Sequence, residues 1–288
     1  MNKNNVSLYI LMLLAMFTWG IAWSNAKFIS KYNLSFNNLV FLRFLLGFIS
    51  LLPFIKLKNI YKMKFSHFIY LTIISILFFF YNIAFFKGTE FGLAGKGAIL
   101  VTTINPIITL IIVSIIKRKI SFKEICGIFL GCIGGFLIMD IFYLGLNNIF
   151  NINNYYFLIC ALTWGVITVL TSFAQRDINS YLFIFLCYLF TTIIAFPFSN
   201  IGEINFQELD IYFYINFALL SLGAMSFGTS IYMYSTPILG PVKSSVFIFS
   251  VPFIAAGTAW FFLNESLTYN TAIGGILSLM GIYIVNKK

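Results

Sequence analysis

The sequence predicts an all-α integral membrane protein whose ten transmembrane helices form two inverted five-helix repeats. Three observations carry that expectation. Of the 288 residues, 60% are apolar and only 9% charged, with a mean hydropathy of +0.96, far beyond the apolar share of a soluble domain. The apolar residues gather into ten runs of about 20, the length a helix needs to cross roughly 30 Å of hydrocarbon. The third observation is that motifs of the first half return in the second.

Taken in order, the runs cover residues 7–29, 37–56, 67–87, 93–116, 122–141, 154–174, 180–199, 211–234, 238–263 and 269–286, with short polar breaks between them. Weak alternation and long Ile, Leu and Phe stretches argue against an outer-membrane barrel, whose strands would be about ten residues long and polar on one face. The first run follows Lys3 and has small residues near Ala22 and Ala26, as a secretory signal would. Its length and its internal copy near residue 160 mark it instead as a retained helix. The four cysteines, Cys126, Cys132, Cys160 and Cys187, fall inside runs without CxxC spacing and read as small apolar packing residues.

Charge placement gives an orientation. With the N-terminus cytoplasmic, that side collects Lys3, then Lys56, Lys58, Lys62 and Lys64, then Lys117, Arg118, Lys119 and Lys123, then Arg176, Lys287 and Lys288. The opposite side keeps Lys27, Lys31 and Lys87 with most of the acids: Glu90, Asp140, Glu203, Glu208, Asp210 and Glu265. This asymmetry follows the positive-inside rule and places both termini in the cytoplasm, in a cell (inner) membrane. The net charge of +10 is therefore a topological signal. Cations spread over separate short loops argue against a nucleic-acid partner.

The repeat is read from paired motifs. Thr18-Trp19-Gly20 returns as Thr163-Trp164-Gly165, displaced by 145, while Lys96, Gly127 and Gly134 return as Lys243, Gly274 and Gly281, displaced by 147. The units are residues 1–145 and 150–288. Five helices are an odd number, so the second copy enters from the opposite face, a construction transporters use around a midplane site.

These features together resemble a known family: Trp-Gly early in the first and sixth runs, Arg43 in FLRFLLG, proline-bearing fourth and ninth runs, FLNESLT at the end of the ninth and IGGILSLMG in the tenth. The chain is similar, over its whole length, to the EamA type of the drug/metabolite transporter superfamily. The resemblance implies a carrier, since members move amino acids, nucleotide sugars, phosphorylated sugars and other metabolites. One departure stands out. The acidic residue usual at the end of the fourth and ninth helices survives only as Glu265, with Arg118 at its first-half counterpart.

Lys96 and Lys243 pose the sharpest question, because a cation at the bilayer centre costs on the order of 3 kcal/mol. Snorkelling to the headgroups is one answer. Small flanks, Gly95, Gly97 and Ala98 in one case and Ser244 and Ser245 in the other, favour close helix contact over lipid. Organic-phosphate and nucleotide-sugar relatives place lysines similarly to hold anionic groups. The expectation is a shared cavity in which Lys96 and Lys243 bind a carboxylate or phosphate as point charges.

Further substrate-binding candidates are polar or aromatic groups at membrane depth. They are Arg43, Trp19, Trp164, Asn25, Tyr81, Asn82, Asn105, Thr229 and Tyr232, each weighed against ordinary helix packing. Pro106 and Pro252 remove a backbone hydrogen bond and allow kinks, and Glu90, with Lys87 or Lys96, is a candidate outer gate. Glycines of the fifth and tenth runs predict tight packing between those helices. His67 reads as interfacial. No mid-membrane carboxylate and no GxxxxGK[ST] loop is evident, which favours facilitated diffusion or exchange over proton coupling or ATP use. No metal, cofactor or catalytic group is expected, which argues against an intramembrane enzyme. The partners are a small-molecule solute and the lipid bilayer. The rival reading is an exporter of neutral amino acids or drug-like compounds, and a non-transport scaffold is the remaining class.

Overall fold

In the computed structural model, residues 3–55, 63–92, 94–117, 120–138, 155–175, 177–263 and 269–287 are described, and every regular element among them is helical. We number the helices α1 (Lys3–Ile29), α2 (Phe36–Leu51), α3 (Phe65–Phe91), α4 (Ala94–Lys117), α5 (Phe122–Ile138), α6 (Tyr155–Ala174), α7 (Ser180–Ala195), α8 (Ile211–Leu239), α9 (241–263) and α10 (Tyr269–Asn286). Eight of them, α1 to α4 and α6 to α9, contain stretches long and apolar enough to cross a membrane, and α10 carries a shorter apolar stretch, Ala272–Asn286. The chain is a multi-pass membrane protein. Lys56, Lys58, Lys62, Arg118, Lys119, Asp140, Arg176, Glu265 and Lys288 lie outside the described residues.

Several boundaries differ from the sequence expectation for local reasons. α2 stops at Leu51 because Pro53 opens a 3-10 turn over Leu52–Phe54. α8 continues through Pro237 to Leu239 and ends where Gly240 takes φ +90°, a left-handed conformation that favours glycine. α3 persists to Phe91, and its end is held by Lys27, whose Nζ donates to Glu90 O at 2.9 Å and Gly92 O at 3.1 Å. A lysine there satisfies orphan carbonyls and complements the negative end of the helix dipole.

The two halves match beyond the motifs visible in sequence. α2 and α7 are both 16 residues long and pack together; Ser35 and Asn179 cap them by accepting from Asn38 N and Leu182 N, and each runs into a proline 3-10 turn. α5 and α10 touch through glycine backbones. A Cβ on Gly134 would meet Gly274 O at 2.5 Å, and one on Gly281 would meet Gly127 O at 2.5 Å. Gly127 and Gly134 correspond to Gly274 and Gly281, so each contact is the repeat mate of the other.

A second reciprocal pair ties the ends of the bundle. Tyr32 Oη donates to Asp210 Oδ1 at 2.5 Å, and Lys64 Nζ donates to Asp177 Oδ2 at 3.0 Å. Tyr32 corresponds to Asp177 and Lys64 to Asp210, and both Lys64 and Asp210 are N-cap residues, of α3 and α8. The first tie sits with Lys27 at the C-terminal end of α3, the second at its N-terminal end, about 40 Å away along a 27-residue helix.

Where the copies differ in length, the helix geometry absorbs it. Between the N-caps Lys64 and Asp210 and the positions Asn82 and Thr229, α8 has one residue more than α3. It accommodates the extra residue in a π-helical stretch over Leu219–Thr229. Between Lys243 and Pro252, α9 has one residue fewer than α4 has between Lys96 and Pro106. Its Phe247–Ser250 segment is 3-10 helix, and four residues at about 2.0 Å rise in place of 1.5 Å recover about 2 Å, roughly the missing residue.

The surface, unlike that of a soluble protein, is apolar. Large apolar side chains such as Ile115 (70% exposed) and Phe129 (65%) cover the outside, while Asn25, Asn38, Arg43, Asn82 and Asn105 are buried. Lipid, not water, suits such a surface.

Two outcomes follow. Gly134→Leu should force α5 and α10 apart and lower stability by about 1–3 kcal/mol, read as a reduced melting temperature in detergent; an unchanged melt would refute the close contact. The Tyr32–Asp210 tie should be pH-bounded. Hydrogen bonding from Tyr32 holds the Asp210 carboxyl below its usual range, so its contribution is present above that range and lost as pH falls through the depressed value. The same bond raises Tyr32 from 10.0 to about 12, so its contribution is full below pH 10.0 and lost as pH climbs through about 12. The melting-temperature gap between the native chain and Tyr32→Phe should therefore be widest near neutrality and close at both extremes.

Candidate substrate cavity

Mid-bundle, α1, α3, α4, α6, α8 and α9 surround a cavity of about 50 Å³ into which α2 delivers Arg43. That space suits a few water molecules.

Arg43 is 6% exposed. Its Nη1 donates to Asn82 Oδ1 at 2.7 Å and its Nη2 to Leu220 O at 3.3 Å, while the guanidinium lies over the Phe85 and Phe86 rings at 5.4 and 5.9 Å. Asn82 is itself fixed, because its Nδ2 donates to Phe78 O at 2.8 Å. Leu220 belongs to the π-helical stretch of α8. Nε has no partner, and among the described residues no carboxylate pairs with the guanidinium or lines the cavity. Desolvating a cation costs several kcal/mol, which two hydrogen bonds and two aromatic faces offset only in part.

The walls are mostly aromatic. Trp19 and Trp164, repeat mates, meet edge to face at 4.9 Å. Trp19 Nε1 donates to Ala224 O at 2.9 Å, whereas the buried Nε1 of Trp164 is directed at the Tyr232 hydroxyl without forming a well-aligned bond. Tyr81 packs on Trp164 at 4.8 Å and Trp23 on Phe85 at 4.9 Å. Asn105, fully buried in the turn before Pro106, leaves both amide atoms unpartnered. Arg43 Nε and Asn105 Nδ2 are thus two unpartnered N–H groups on residues that line one cavity.

Of the candidates read from sequence, Trp19, Arg43, Tyr81, Asn105, Trp164 and Thr229 line this cavity. Asn82 stands behind it as the anchor of Arg43. Tyr232 packs on Trp19 at 5.1 Å and Trp164 at 5.9 Å, and its hydroxyl pairs with Thr168 Oγ1 at 2.9 Å. Asn25 is buried off the walls with Nδ2 unpartnered. Lys243 is half-buried in the first turn of α9 and is not on the walls. The side chain of Lys96 lies outside the described residues. Pro106 sits inside an unbroken α4, while Pro252 follows the 3-10 break in α9. Glu90 lines a separate polar pocket of about 610 Å³ at the Tyr32 end, shared with Lys31 and Glu203. No ion pair joins it to Lys87, whose amine lies over the Phe36 and Tyr156 rings. His67 acts structurally, its Nδ1 accepting from Lys64 N at 2.9 Å at the start of α3.

Sequence reading missed Trp23, Phe85, Thr102, Ile248 and Val251 on the walls. Helical spacing carried the signal, since Trp23, Phe85 and Thr102 lie three or four residues from Trp19, Tyr81 and Asn105.

The sequence profile of the EamA-like transporter family matches residues 6–140 and again 152–287. An uncharacterized transporter of Archaeoglobus fulgidus is 24% identical over 295 residues, spanning 99% of each chain. A solved structure, titled only as the crystal structure of a protein, superposes with a TM-score of 0.73 at 15% identity, covering 97% of this chain and 96% of that one; at that identity the likeness speaks for the fold alone.

Asn82→Leu should strip Arg43 of its shortest hydrogen bond and cost about 1–3 kcal/mol. In a double-mutant cycle with Arg43→Gln the two losses should be non-additive; additive losses would mean the two side chains do not act together.

Proposed function

Because the chain belongs to the EamA-like transporter family, within the drug/metabolite transporter superfamily, we propose that this membrane transporter moves a small organic anion, with Arg43 as the principal anion-binding group. One observation carries the reading: a buried guanidinium without a carboxylate partner, on a cavity whose other unpartnered groups include the N–H donor of Asn105. A carboxylate would supply the missing charge and accept from that donor, as charge-assisted hydrogen bonds favour. The aromatic walls call for a solute with an apolar body, which is also what a neutral or drug-like cargo would offer.

The proposed mechanism is alternating access by ten crossing helices in two inverted repeats, with uniport or exchange as its energetics. Reciprocal contacts support it: the glycine pairs of α5 and α10, and the ties Tyr32–Asp210 and Lys64–Asp177, which are repeat mates at opposite ends. Loosening one tie while its mate holds would open each end in turn. The Lys64 end is assigned to the cytoplasm on the positive-inside asymmetry. Lys243, and Lys96 as its mate, are proposed to attract the anion near the ends of α9 and α4 and hand it on to Arg43.

Carboxylate-bearing metabolites should raise the melting temperature of the purified protein in a concentration-dependent way, by about 2.7 kcal/mol of stabilisation at a hundred times Kd. Arg43→Gln should remove that shift while the variant still elutes as folded protein, and Arg43→Lys should keep part of it. An undiminished shift in Arg43→Gln, or stabilisation only by cationic or neutral solutes, would reject the assignment.

A further inference from the structure

We propose that buried faces of α4, α6, α8 and α9 form a polar leg of the solute path, sealed in this conformation and wetted as the carrier opens, running from the Arg43 cavity to the Lys64 end, while the leg toward the Tyr32 end is plugged by aromatic rings. The geometry comes from helix periodicity. On α6, Trp164 lines the cavity, and Thr168, Thr171 and Gln175 follow at steps of four, three and four residues on the same face. On α4, Asn105 is followed four residues on by Thr109. On α8, Tyr232, whose hydroxyl meets Thr168 Oγ1 of α6 at 2.9 Å, is followed three residues on by Ser235. On α9, Ile248 is preceded four residues back by Ser244. The α8 and α9 ends pack on α6 and on each other, so these faces converge.

Every member of this stripe is buried, from 0% exposed for Thr109, Ser235 and Ser244 to 5% for Gln175. Thr109 Oγ1, Thr171 Oγ1, Ser235 Oγ, Ser244 Oγ and both amide atoms of Gln175 have no hydrogen-bond partner. Buried polar groups are ordinarily paired, so unpaired groups on five residues along one route require a common explanation, and passage of a polar solute supplies it. Neutral hydroxyls and an amide can exchange bonds with a moving anion without holding it. Lys243, half-buried one residue before Ser244, would concentrate anions at the mouth.

The repeat provides an internal control. The mates of Thr109, Thr171, Gln175, Ser235 and Ser244 are Ala255, Ala26, Ser30, Gly88 and Gly97. Four carry no polar side-chain atom, and the hydroxyl of Ser30 is already spent on Lys27 O. The space beside Gly88 and Gly97 is taken by the Phe157 ring, which a Cβ at Gly88 would meet at 2.5 Å, and Trp23 packs on Phe157 at 5.8 Å. The same scaffold thus has one leg lined for a hydrated cargo and one sealed by rings.

The anionic cargo rests on the Arg43 reading, but the leg's access to water is tested without it. Thr171→Cys, Ser244→Cys and the mate Ala26→Cys would be made singly, with the native cysteines retained. Each purified variant would be treated with a water-soluble maleimide in detergent, and modification would be followed site by site by peptide mass spectrometry. Cys160 and Cys187, which lie off the polar stripe, serve as unreactive references. Thiol accessibility sets the rate, so Thr171→Cys and Ser244→Cys should react at least about tenfold faster than Ala26→Cys and Cys160. Ser235→Cys replaces either variant that does not elute as a single folded species. Equal rates on both legs, faster reaction at Ala26→Cys, or no reaction on the polar leg would overturn the proposal. Loss of solute binding in Arg43→Gln is a separate readout, so either idea can fail alone.

Discussion

A guanidinium withdrawn from water and given no carboxylate is the constraint around which the interior is arranged. Arg43 cannot shed its proton under any physiological condition, so the fold must accommodate the charge as it stands. Two rings, an anchored asparagine amide and one backbone carbonyl do so incompletely. That carbonyl, Leu220 O, lies in the π-helical stretch of α8, whose wider turns shift the hydrogen-bond register of the helix. A local irregularity in one helix therefore contributes to holding a charge delivered by another.

The same irregularities keep two diverged copies in register. An insertion in α8 and a deletion in α9 would each rotate the following residues by about 100° and carry them off the cavity. The π-helical and 3-10 segments localise those changes, so that Thr229 still faces the interior as Asn82 does, and Ile248 and Val251 still reach the wall. Backbone hydrogen bonding inside a membrane leaves few alternatives, since every group must be satisfied within the helix or by a neighbouring one. Irregular helix is tolerated here because it is buried against protein.

Much of this was legible in the sequence. Hydropathy marked the helices because bilayer thickness fixes their length, and Gly127, Gly134, Gly274 and Gly281 announced the α5–α10 contact because only a missing side chain lets two backbones approach that closely. Six of the proposed binding residues line the cavity because tryptophans, of which the chain has four, and polar groups at depth are scarce enough to stand out. Lys243 was harder to place. A lysine one turn into a helix looks the same in sequence whether its long stem points inward or along the helix, and only packing decides. The π-helical stretch was invisible, because one extra residue in an apolar run leaves no compositional trace. The ties Tyr32–Asp210 and Lys64–Asp177 were hidden for another reason: the repeat keeps their positions and changes their chemistry, so no motif recurs.

That last point separates what duplication conserves from what it frees. Mates in packing contacts stay small or aromatic, since an overfilled helix interface is costly wherever it occurs. Mates along the two routes away from the cavity are under no such restraint, and here they have diverged into hydroxyls and an amide on one side and glycine, alanine and an inserted phenylalanine ring on the other. A two-state carrier with identical halves would populate its two open forms equally. In the proposed carrier, unequal legs would break that balance, because wetting a polar route costs less than parting packed rings. Divergence between the copies would thus set a resting preference without altering the scaffold proposed to permit both states.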